Sequence, residues 1–170
     1  MMAKTEITRD DIISMDEYAK NRKERRAAIS LKKRDRRIAC GPDAMFYFEN
    51  FDTMWHQVHE MLFIEKGGDA QIADELSAYN PLIPNGRELV STLMFEIEDA
   101  GRRSMFLAGR TTADGKASAV QFIHFPFTDE QVAKFKTEGQ RVMIGIAHPK
   151  YGHMAILPEA TRVALAADLA

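Results

Sequence analysis

Residues 44–65, AMFYFENFDTMWHQVHEMLFIE, change periodicity part-way along, and that change decides the fold class. Ala44 to Asn50 is short and rich in aromatics, the composition of a strand. From Phe51 the spacing turns helical. On a wheel advancing about 100° per residue, Phe51, Met54, Trp55, Met61 and Leu62 gather around Val58 as a stripe that faces a core. Asp52 reads as the N-cap of this helix, and Gly67-Gly68 as its end.

Downstream, a second helix is predicted from about Asp69 to Tyr79, stopped by Asn80-Pro81. Leu89 to Ile97 reads as a strand, because Leu93, Phe95 and Ile97 alternate with Thr92, Met94 and Glu96. Ser104 to Gly109 reads as another, Thr111 to Gly115 as a turn, and Ala119 to Phe127 as a strand apolar on both faces. Thr128 opens a short helix ending near Gly139. Val142 to Ala147 and Met154 to Leu157 form a hairpin across HPKYGH, and Pro158 starts an alanine-rich helix. Upstream, Ser14 and Glu17 have capping-box spacing, which starts a helix near Met15. Its apolar stripe is thin, so it is expected on the surface or standing away from the body.

The sum is α+β: a mixed, mainly antiparallel sheet of five or six strands with helices to one side, plus an N-terminal basic helix. The one boundary in the pattern separates a basic helical arm over residues 1–37 from a compact domain over 38–170. The 170 residues, 45% hydrophobic and 28% charged, suffice for one core. The single cysteine, Cys40, excludes an intrachain disulfide, and it is expected to be a half-buried, unreactive thiol. No apolar run reaches membrane-spanning length and the opening residues MMAKTEITRDD lack a signal-like apolar segment, so a cytoplasmic location away from membranes is expected.

Charge is unevenly spread. Residues 20–37, KNRKERRAAISLKKRDRR, hold ten Lys/Arg against Glu24 and Asp35, a net of +8 in a chain of net −2. A basic arm of this kind steers anionic partners. Arg22, Lys23, Arg25, Arg26, Lys32, Lys33 and Arg34 are its candidate docking residues. Nucleic acid is the weaker option, since no docking module accompanies the charge.

On that wheel His56 and Glu60 fall roughly opposite Val58, and His59 sits at the flank. Spacings of three and four residues let His56, His59 and Glu60 approach one ion, and zinc or iron accepts imidazole and carboxylate ligands. Glu49 and Glu96, on strands, could join a carboxylate cluster there. The pattern is neither HExxH nor the Glu-x-x-His of di-iron bundles. A solvated face, with His56 and Glu60 in an i,i+4 contact, is the expected reading, while Phe63 between them suggests that part of it is covered by another element or a partner. His124, inside an apolar strand, is expected to be a buried structural histidine; His148 and His153 flank the hairpin turn. Dinucleotide, Walker and serine-elbow motifs are absent, so no nucleotide cofactor or serine hydrolysis is expected.

The segments GPDAMFYFEN, MWHQVHEML, AYNPLIPNGRELVSTLMFEIED and SAVQFIHFPFT together resemble a bacterial family catalogued only as a domain of unknown function. The likeness runs over nearly the whole chain. It implies genes beside those of a rubrerythrin and an iron–sulfur oxidoreductase, hence a cytoplasmic redox or peroxide-defence setting with those proteins as partners. It also implies a pattern that keeps Trp55, Gln57, Glu60 and Met61 without requiring histidine at 56 or 59. The resulting expectation is an accessory protein that docks electron-transfer partners. The alternatives are a metal-dependent oxidoreductase with a His/Glu site and, behind it, a nucleic-acid binder. Reaction, substrate and oligomeric state are not legible.

Overall fold

The computed structural model describes residues 4–97, 101 and 120–170. Its described elements are five α-helices, six strands and two short 3-10 helices, Arg9–Asp11 and Asn80–Leu82. Helix α1 (Met15–Arg34) leads into β1 (Arg37–Cys40), β2 (Ala44–Glu49), α2 (Phe51–Glu65), α3 (Asp69–Tyr79) and β3 (Glu88–Phe95). Then come β4 (Val120–Pro126), α4 (Asp129–Lys136), β5 (Met143–His148), β6 (Tyr151–Ile156) and α5 (Glu159–Ala166). The chain is α+β, as expected.

Sheet organisation differs from the expectation. Strands β1-β2-β3-β4 form one antiparallel sheet, and β5-β6 form a separate hairpin. Every described pairing is antiparallel. Helices cover both faces, not one. On one face, Phe46, Phe48, Leu89 and Leu93 join α4, α5 and the hairpin through Val132, Phe135, Leu165 and Ile144. On the other, Val90 packs with Met54, Val58 and Leu62 of α2 and Ile72 of α3. Period-two alternation explains the division: the register Phe46↔Leu93 and Tyr47↔Thr92 sends successive pairs to opposite layers.

Local signals fixed several ends. Ser14 accepts a hydrogen bond from the Glu17 amide at 3.3 Å, so α1 starts where its cap spacing places it. Asn50, not Asp52, caps α2, in a reciprocal capping box with Thr53. Asp52 sits in the first turn and pairs with Lys32 instead. Strand β4 is mostly exposed rather than apolar on both faces, and His124 lies outside the core, 3.0 Å from Glu88. The strand and turn read at 104–109 and 111–115 lie outside the described residues.

Strand β1 escaped the sequence reading because RIAC is short and half exposed. It is anchored by its turn. The Tyr151 hydroxyl accepts from the Asp43 and Ala44 amides, each at 2.9 Å, and donates to the Cys40 carbonyl at 2.9 Å. Gly41 makes that approach feasible: its φ is +76°, and a Cβ there would meet the His153 ring at 2.6 Å. Gly41→Ala is expected to destabilise the fold by about 2 kcal/mol or more, read as a lower urea midpoint. A change under about 0.5 kcal/mol would contradict that packing. Cys40 is fully buried, and burial pushes its thiol pKa up, away from the reactive thiolate.

Candidate functional site: a polar seam between two helices

The flank of α2 expected to face solvent is covered. His59 is 0% exposed and His56 9%. The cover is α1, which lies across α2 with Tyr18 fully buried. The wheel oriented the flank correctly, away from the sheet; it could not show that a second helix lies on it. Because α1 has little apolar surface, polar and stacking contacts make the seal.

Glu60 is the hub. Arg22 grips it with both ends of its fork, Nε to Oε1 at 2.9 Å and Nη2 to Oε2 at 2.8 Å. The Tyr18 hydroxyl donates to Oε1 at 2.8 Å. Having spent its proton on Glu60, that hydroxyl accepts from His56 Nδ1 at 3.2 Å. Arg22 also stacks over Phe63, 4.7 Å from its centroid, and Arg25 over Trp55 at 5.0 Å.

His59 is bonded through both ring nitrogens. The Ile13 amide donates to Nε2 at 3.2 Å, so Nε2 carries a lone pair and Nδ1 carries the proton. Nδ1 then donates to the Trp55 carbonyl at 2.7 Å. The ring lies 3.7 Å from the Trp55 ring, whose Nε1 donates to the Asp11 carbonyl at 2.8 Å. The segment before α1 is thereby stitched onto α2.

These bonds hold the site in fixed protonation states. The Arg22 guanidinium, with help from Tyr18, lowers the Glu60 pKa to about 2 against the cost of burial. Burial, then the Glu60 hydrogen bond, drives the Tyr18 pKa well above its ordinary value. Burial lowers both His56 and His59. A general acid or base works best with a pKa near the ambient pH, and Glu60 and Tyr18 are pushed away from it. The arrangement suits a clamp better than a proton-transfer site.

The other candidates are dispersed. Glu49 lies in the sheet layer, hydrogen-bonded by Thr53 and Thr92, and Glu96 accepts from Tyr47. Among the described residues, no three His, Cys, Asp or Glu side chains converge on a metal-sized site. Of the docking residues, Lys33 is half-buried beside the sheet, and the others divide in two. Arg22 and Arg25 face inward and Lys32 is tied to Asp52. Lys23, Arg26 and Arg34 face out, as does Lys20, which the sequence reading left off its docking set. The roles of Tyr18 and Ile13 were also missed; a lone tyrosine in a charged helix was the available signal.

Fold and seam together define an α+β protein whose N-terminal helix is bolted to its body by an arginine–carboxylate–tyrosine network. The chain belongs to the family described as protein of unknown function DUF3501, whose model matches residues 6–112 and 108–169. It is similar to a protein of unknown function from Burkholderia pseudomallei K96243, known from a crystal structure. The two are 32% identical, with a TM-score of 0.88, over 96% of this chain and 99% of that one. No curated protein matches. Among the described residues, no helix is long and apolar enough to cross a membrane.

Proposed function

We propose that this chain is a non-catalytic accessory protein that docks an acidic partner protein through the outer face of α1. The observation that carries this reading is the two-sidedness of that helix. Tyr18, Arg22 and Arg25 lock it to α2, while Lys20, Lys23 and Arg26 point outward, and Leu31 farther along the helix is 63% exposed. A rigid basic helix needs no ordering on binding, so little of its docking energy is lost to entropy. The redox setting implied by the family resemblance makes an iron–sulfur oxidoreductase and rubrerythrin, in the cytoplasm, the partners to try.

The metal-dependent reading has less support, because it would have to draw His59 and Glu60 out of bonds that hold the helices together. The test is titration of the purified candidates at low and high salt. Binding is expected to weaken steeply with salt. Reversing Lys20, Lys23 and Arg26 to Glu should weaken it about tenfold or more, through slower association and faster release. Failure of both candidates to bind at low ionic strength would overturn the reading.

A further inference from the structure

A second feature lies on the α2 side of the sheet, where Lys33 near the end of α1 also reaches it. Glu49 ends β2 with its carboxylate buried, 6% exposed. Thr53 donates to one oxygen at 2.6 Å and Thr92 to the other at 2.7 Å. Among the described residues, no cation pairs with it. A buried carboxylate held by two hydroxyls, without a counter-charge, is unusual, since buried charges are ordinarily paired. Each oxygen keeps a further lone pair for another donor.

That carboxylate lines a cleft of about 310 Å³. The sheet contributes Tyr47, Met94 and Phe122 to its walls, and the helices contribute Met54, Tyr79 and Lys33. Phe122 is 57% exposed, a large ring left at an opening. Volume and lining suit a small organic molecule: an apolar, aromatic enclosure with few polar groups. They do not suit a bare metal ion, which wants several convergent oxygen ligands. Glu96 and Glu88, which share this face, are already engaged, by the Tyr47 hydroxyl and by His124.

We propose that this cleft binds a small organic cation, an amidinium or amine on a flat apolar body, with Glu49 as its counter-charge. The flat body slots between Tyr79 and Phe122, and its N–H groups complete the carboxylate's unused acceptor sites. Arg36 steadies the floor, donating to the Glu49 carbonyl at 3.0 Å. Lys33 opposes a cation in the cleft and weakens binding.

Benzamidine is the probe, titrated calorimetrically into the full chain, with benzoate as the anion of matching shape. Saturable one-to-one binding of benzamidine, and none of benzoate, is expected. Glu49→Gln keeps the size and can still bond both threonines, and should weaken binding about tenfold or more. Phe122→Ala should weaken it about threefold, and Lys33→Ala should tighten it. Benzamidine that fails to saturate at millimolar concentration, or binds the Glu49→Gln protein equally well, overturns the proposal. If Glu49→Gln does not fold, Phe122→Ala decides, because that ring is exposed: unchanged affinity there overturns the proposal too.

Discussion

Replacing Arg36 by alanine is expected to remove about 3–5 kcal/mol of folding free energy, a large share of what a domain of this size possesses. Arg36 is 5% exposed and Asp168, its ion-pair partner, 7%. The guanidinium also donates to the carbonyls of Phe48 at 3.0 Å, Glu49 at 3.0 Å and Ala164 at 3.2 Å. One side chain thus ties the end of β2 to the C-terminal helix. Alanine would strand three carbonyls and leave a carboxylate in a place that already disfavours charge. Burial raises the Asp168 pKa even with Arg36 against it. Arg36→Lys should recover only part of the loss, because a single ammonium cannot reach every acceptor of a fork. Arg36→Met combined with Asp168→Leu should be more stable than Arg36→Ala, since no unpaired charge remains. Urea unfolding followed by circular dichroism measures all three. A loss under about 1 kcal/mol in Arg36→Ala would mean that water reaches the pair and replaces it.

Arg36 also shows where sequence reading stops. It sits inside a run of ten basic residues and looks like any other of them, yet it is a core residue. Periodicity and caps are local, so they revealed α3 residue for residue and the start of α1. What they could not supply was partnership across the chain. Asp168 lies 132 residues from Arg36, and Glu60 lies 38 from Arg22. The histidine flank was misread for the same reason. Hydrophobicity measures what a face would lose in water, but α1 covers that flank with donors matched one by one to acceptors. Nothing in a list of residues marks such matching. The expectation of helices on one side failed likewise, because α4 and α5 bury their stripes against strand positions that only the pairing register defines.

Lowering the pH from about 7 towards 4 is expected to loosen the seam between α1 and α2 ahead of the sheet, and the sign follows from linkage. His56 and His59 are depressed below the ordinary value of 6.5, so the unfolded chain takes up their protons first. The stability they contribute is complete above that value and declines as the pH falls below it. For His59 the conflict is direct: a proton on Nε2 would face the Ile13 N–H, turning an attraction into a repulsion. Glu60 adds a second stage. Its pKa falls from 4.5 to about 2, so the stability that the Arg22 clamp contributes is complete above 4.5 and declines as the pH falls towards 2. Asp168, raised by burial, works in the opposite sense and does not contribute to the acid loss. Trp55, the chain's one tryptophan, lies inside the seam against His59 and reports on it by its emission. A shift of that emission should precede the loss of strand signal in circular dichroism. Glu60→Gln should cost about 2 kcal/mol at pH 7, and its deficit relative to the wild type should shrink as the pH falls from 4.5 towards 2. Trp55 emission that stays constant to pH 4, or a variant deficit independent of pH, would show that the seam is held by packing alone. In that case α1 would stay docked in acid, and its basic face would remain presented wherever the partner is met.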